Sequence, residues 1–137
     1  MTAPVPRRYH EKQIGSLCAV HALNNLLQGD VFDEVQLAQI AHELDAAERA
    51  FTGGVGLAPE SGEGLGELGG TGNVRADGFF SVQVMLEGLK RLTSTHAQPI
   101  RSEAARDALA APTREVGFIC NRSEHWFPIR RLGGVWF

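Results

Sequence analysis

A chain of 137 residues that is 43% hydrophobic and 21% charged has the composition of one globular domain, here residues 1–137. At this length about two thirds of the unfolded surface can be buried, so the core needs no disulfide or metal staple. A net charge of −3 argues against nucleic-acid binding driven by phosphate neutralisation, and no apolar run approaches the length of a membrane span.

Residues 1–8 read as an irregular arm held open by Pro4 and Pro6. They lack the apolar core of a signal peptide. The expectation is an intracellular chain whose two cysteines are reduced. Arg7-Arg8 and Arg130-Arg131 read as solvated basic pairs.

The first predicted helix follows, from the residue before Cys18 to Gln28. Ser16 is the expected N-cap and Gly29 the expected stop. Leu17, Val20, Leu23 and Leu27 recur at helical spacing and give one face to bury. Cys18 then stands in the first turn. Unpaired N–H groups and the helix dipole there favour a thiolate below the ordinary thiol pKa of about 8.5. Gln13 lies on the approach to the helix, and its amide could donate toward the space before the sulfur. The competing reading is a small buried hydrophobe with no chemistry. One of Asn24 and Asn25 is expected to bond a backbone carbonyl or line a cleft, and neither is assigned a catalytic role.

Asp33 opens a second helix, and Asp33 with Gln36 has the spacing of a capping box. Leu37, Ile40, Ala41 and Leu44 form its inward stripe, which is expected to end near Glu48 or Arg49. His42 falls off the stripe, on the surface. In residues 53–72, nine of twenty positions are glycine, so the segment has little to bury and reads as a mobile loop or lid. It is no phosphate loop, since no Lys-Ser/Thr follows the glycines. A third helix is expected from about Ser81 to Leu92, with Val82, Met85, Leu86 and Leu89 inward. Residues 93–115 carry little pattern beyond an alanine-rich helical stretch from Glu103 to Ala111, closed by Pro112.

Strands come last. Val116 to Asn121 and His125 to Leu132 are strand-like runs joined by a turn at 122–124. Gly133-Gly134 is a hairpin signal before a third strand at Val135. Helices first and strands afterwards indicate an α+β fold with an antiparallel meander. Pro128 cannot donate to a ladder and must face a gap or an edge. The last strand reads as cut, with further elements expected to cover it.

Cysteine hydrolysis needs a base, an orienting group for that base and oxyanion donors. His125 is the best base, at a strand start and followed by Trp126, expected to shield the imidazole. The orienter of such a site is an Asn or Asp on the next strand, and residues 133–137 offer none. His10, His21 and His96 read as surface or hydrogen-bonded residues, and Cys120 as a core residue. A competing zinc site would use Cys18, His21, Cys120 and His125.

Tyr9-His-Glu-Lys-Gln13, Gly15-Ser-Leu-Cys18, Leu23-Asn-Asn-Leu-Leu-Gln-Gly29 and Ile40-Ala-His-Glu-Leu-Asp45 resemble the Josephin domain family. So do Gly78-Phe-Phe-Ser-Val-Gln-Val84, Phe118-Ile-Cys-Asn121 and Glu124-His-Trp-Phe127. The likeness is nearest the Machado–Joseph disease protein branch. It implies a papain-like cysteine protease fold and removal of ubiquitin from proteins or polyubiquitin. By the resemblance Cys18 is the nucleophile, His125 the base and acid, and Gln13 the oxyanion donor. The family's catalytic Asn follows an aromatic pair like Trp136-Phe137, and by the resemblance it, a last strand and a closing helix are expected after that point. The glycine-rich segment stands where the family has a helical hairpin. Ubiquitin, polyubiquitin and ubiquitinated proteins are the implied partners. No cofactor, metal, nucleic acid or membrane is expected. The nucleus is the implied compartment, with the cytoplasm as the alternative. Set against this deubiquitinase are a ubiquitin-binding pseudoenzyme and a zinc-bound structural domain.

Overall fold

The computed structural model describes residues 7–13, 17–51 and 80–137. Ser16 and the glycine-rich 53–72 lie outside the described residues. Among the described residues four helices precede a three-stranded sheet: α1 (Cys18–Leu27), α2 (Glu34–Phe51), α3 (Val82–Leu92) and the short α4 (Arg106–Ala110), then β1 (Gly117–Arg122), β2 (His125–Leu132) and β3 (Val135–Trp136). A single 3-10 turn leads into α4, and a second, starting at Pro112, follows it. This is the α+β order expected from the sequence.

α1 is the hub. It packs against β2 and β1 on one side, and residues 7–13 run along another. That is why Cys18, Ala19, Val20, Ala22, Leu23, Asn24, Asn25 and Leu26 are all buried, where the sequence pattern promised one apolar face. The helix starts at Cys18, and Leu17 occupies the capping position without a side-chain bond, one residue later than expected. The left-handed stop is Gln28 (φ 61°) rather than Gly29. Gln28 tolerates this because its side chain is fixed. Nε2 donates to the Asn25 and Tyr9 carbonyls at 2.5 and 3.2 Å, and Oε1 accepts from the Tyr9 N–H at 2.9 Å.

α2 begins with the expected capping box: the Gln36 N–H donates to Asp33 Oδ1 at 2.8 Å, and the Asp33 N–H to Gln36 Oε1 at 2.9 Å. It continues to Phe51, two residues past the predicted end. α3 lies against α2, where Gly88 permits the approach. A Cβ there would stand 3.1 Å from the Phe32 ring and 3.3 Å from Leu37. Arg91 ties the two helices at the surface through Glu43 and Glu87. Val84, not Val82, joins Met85 and Leu89 in the core, and Val82 is exposed. The inward stripe is thus rotated from the predicted one.

The sheet is the expected antiparallel meander, in order β1-β2-β3. Two-residue turns at Ser123-Glu124 and Gly133-Gly134, all four at positive φ, connect the strands. Bonding alternates along β2. Arg131 donates to Val116, just before β1, whereas Arg130 exchanges both bonds with Phe137 on the other side. Pro128, two positions before Arg130, therefore turns its missing N–H toward the β3 side, beyond the register of Phe137. The basic pairs are not simply solvated. The Arg8 guanidinium lies over the Phe137 ring at 4.3 Å, and Arg131 donates to the Thr113 carbonyl. The core joins Cys18, Leu23, Phe32, Leu37, Phe80, Met85, Leu89 and Trp126.

Candidate active site

Cys18 is the first residue of α1, at the end where backbone N–H groups lack intrahelical acceptors and favour negative charge. Its side chain belongs to the same buried cluster as Trp126 of β2. Gln13 reaches β2 as well, since its Nε2 donates to the Trp126 carbonyl at 3.2 Å. Trp126 directly follows His125, the first residue of β2. The Gln13 amide is thus tied to the residue that follows His125, on the strand against which the Cys18 helix packs.

Strand alternation corrects one expectation. Neighbouring residues of β2 point to opposite faces. The Trp126 indole is buried, with Nε1 donating to the Phe80 carbonyl at 3.0 Å, so it does not shield the imidazole. The ring beside His125 is that of Phe127, 6.3 Å between centroids and 20° from parallel. His125 is exposed, and among the described residues neither its ring nor the Cys18 thiol forms a hydrogen bond. Residues 133–137 form the turn, β3 and Phe137, and carry no group to orient an imidazole.

The approach to the site is held by a polar network that the sequence reading left unassigned. Glu11 Oε1 accepts from the Tyr9 hydroxyl at 2.5 Å and from Asn24 Nδ2 at 2.9 Å. His21 Nδ1 stands 2.6 Å from Glu11 Oε2. Asn25 brackets the Glu11 backbone, accepting from its N–H at 2.6 Å and donating to its carbonyl at 3.3 Å. Burial raises the Glu11 pKa, but the bonds from Tyr9, His21 and Asn24 outweigh it, and the carboxyl is held below its ordinary range. Asn24 also closes the loop after α1, accepting from the Val31 and Phe32 N–H groups and donating to the Phe32 carbonyl. A signal for this network existed. His21, Asn24, Asn25 and Gln28 are spaced i, i+3, i+4, i+7, a polar stripe on an otherwise apolar helix.

The remaining candidates separate from the site. His10 and His42 are exposed, and His96 stands by a shallow groove near Leu44, Leu86 and Lys90. Cys120 is only half-buried, outside the main core, and burial pushes its thiol pKa up. Among the described residues no three His, Cys, Asp or Glu side chains converge as a metal cage, so the zinc reading has no ligand set.

The Josephin family model matches residues 13–137, from the candidate oxyanion donor through the sheet. The chain belongs to the Josephin family. That family comprises ubiquitin-related cysteine proteases. The chain is 42% identical to human ataxin-3 over 136 aligned residues, covering 94% of this chain and 35% of that protein. It is 44% identical to the human ataxin-3-like protein, covering 94% and 36%. The ataxin-3 homolog of Arabidopsis thaliana is 39% identical, covering 94% and 46%. The chain thus spans less than half the length of these relatives.

Proposed function

We propose that this Josephin chain is a thiol-dependent deubiquitinase that hydrolyses the bond after the C-terminal glycine of ubiquitin, on proteins or in polyubiquitin. The observation that carries this reading is the Gln13 amide held on the Trp126 carbonyl, beside His125 and at the contact with the helix that Cys18 starts. Cys18, its thiol proton taken by His125, attacks the glycine carbonyl, and the oxyanion is stabilised by the Cys18 backbone N–H and the second Gln13 amide proton. One such donor is worth about 3 kcal/mol of barrier. His125 gives its proton to the departing lysine amine, leaving a thioester. Water then attacks the thioester with His125 as base, releasing ubiquitin and restoring the thiol.

A second reading, a ubiquitin-binding domain without turnover, is favoured by one observation: among the described residues no hydrogen bond joins Cys18 to His125. The relevant contact in cysteine and serine hydrolases often tightens only when substrate is bound. Release of a fluorophore from the C-terminus of ubiquitin separates the two. The parent chain is expected to turn the substrate over, and Cys18→Ala and His125→Ala to abolish turnover. Tight binding of ubiquitin with no release by the parent would establish the second reading instead.

A further inference from the structure

Glu11 is the last fixed point of the chain before Gln13. Both of its carboxylate oxygens and both of its backbone polar groups are bonded, to Tyr9 or to the polar stripe of α1. Among the described residues the backbone groups of Lys12 and Gln13 form no hydrogen bond, and Lys12 is exposed. Two residues of extended chain span at most about 7 Å. The Gln13 side chain therefore bridges from this anchor on α1 to the Trp126 carbonyl on β2.

We propose that Glu11 is a positioning residue: its carboxylate clasps residues 9–13 to α1 and so sets where the Gln13 amide stands relative to Cys18. The proposal rests on the deubiquitinase reading for its catalytic consequence. The geometry explains why a carboxylate is used. Tyr9, His21 and Asn24 each bring a donor, and only an anionic acceptor satisfies three donors with two oxygens. An amide at position 11 would set its own N–H against one of these donors. Alanine would leave the Tyr9 hydroxyl, the His21 ring and one Asn24 amide proton without this acceptor, and the arm held only by its backbone bonds to Asn25 and Gln28.

The test is a double-mutant cycle in kcat and KM for release of the fluorophore from ubiquitin. Gln13→Ala is expected to lower kcat by about 10²- to 10³-fold. Glu11→Ala is expected to lower kcat by about ten- to hundredfold through misplacement of the donor, with KM changed less than about twofold. The double variant should be no slower than Gln13→Ala, because Glu11 acts through Gln13. Multiplying effects would overturn the proposal. Should Glu11→Ala fail to fold, Glu11→Gln preserves the volume and is expected to give a smaller loss with the same absence of additivity.

A readout independent of activity keeps the two readings apart. The Gln13 side-chain amide, identified in the 15N spectrum by its loss in Gln13→Ala, should stand away from the free-glutamine position in the parent. It should return there in Glu11→Ala and move part of the way in Glu11→Gln. A parent without turnover but with this shift would sink the deubiquitinase reading and keep the clasp. A Gln13 signal unmoved by both Glu11 variants would overturn the clasp whatever the activity.

Discussion

At the scale of single residues, the clasp has its own reporter, because Tyr9 is the only tyrosine in the chain. The hydrogen bond to Glu11, burial and the charges of Glu11 and Asp30 push its pKa from 10.0 up to about 12. A raised phenol pKa means the fold favours the neutral form. The contribution to stability is thus full below 10.0 and is lost as pH rises through about 12. Titration followed by phenolate absorbance should place the parent midpoint well above 10.0, and Glu11→Gln should bring it down. A parent midpoint at the ordinary value would show that Tyr9 does not hold Glu11. Single-residue chemistry was unevenly legible in the sequence. Cys18, His125 and Gln13 stood out because their residue types match a known chemistry. Glu11 did not, because a lone glutamate in a short arm has no pattern. Its helix partners, His21, Asn24 and Asn25, were visible as part of one polar stripe, but only folding lays the arm across them.

At the scale of elements, local signals were read well and tertiary burial was not. The Asp33–Gln36 capping box and the strand β2 are where the sequence put them, since both follow from short-range patterns. α1 is buried on more than its predicted face, with eight of its ten residues buried, and α3 turns Val84 inward in place of Val82. Both differences arise from neighbours distant in sequence: the sheet and arm around α1, and α2 against Gly88. The α1–sheet approach yields a sharp expectation at Gly117, where β1 begins. A Cβ there would lie 2.5 Å from the Ile129 carbonyl oxygen and 2.7 Å from Leu26 Cδ1. A backbone oxygen in a ladder cannot move aside cheaply, so Gly117→Ala should cost about 1–3 kcal/mol of stability in urea denaturation. Unchanged stability would mean that α1 and the sheet do not pack this closely.

At the scale of the molecule, α1 joins three functions in ten residues. Its first residue is the candidate nucleophile, its polar stripe holds the donor-bearing arm, and its apolar side seats the strand that starts with His125. The α+β order and the Josephin membership were legible because the motifs occur in sequence order at both ends of the chain. The relation of imidazole to thiol was not, because it depends on how α1 and β2 meet rather than on either segment. The central claim is that Cys18 is the nucleophile toward the ubiquitin C-terminus. Its most direct measurement is the intact mass of the chain after treatment with ubiquitin bearing a thiol-reactive C-terminal group. One adduct is expected on the parent and on Cys120→Ser, and none on Cys18→Ala. No adduct, or one that persists in Cys18→Ala and disappears in Cys120→Ser, would contradict the account.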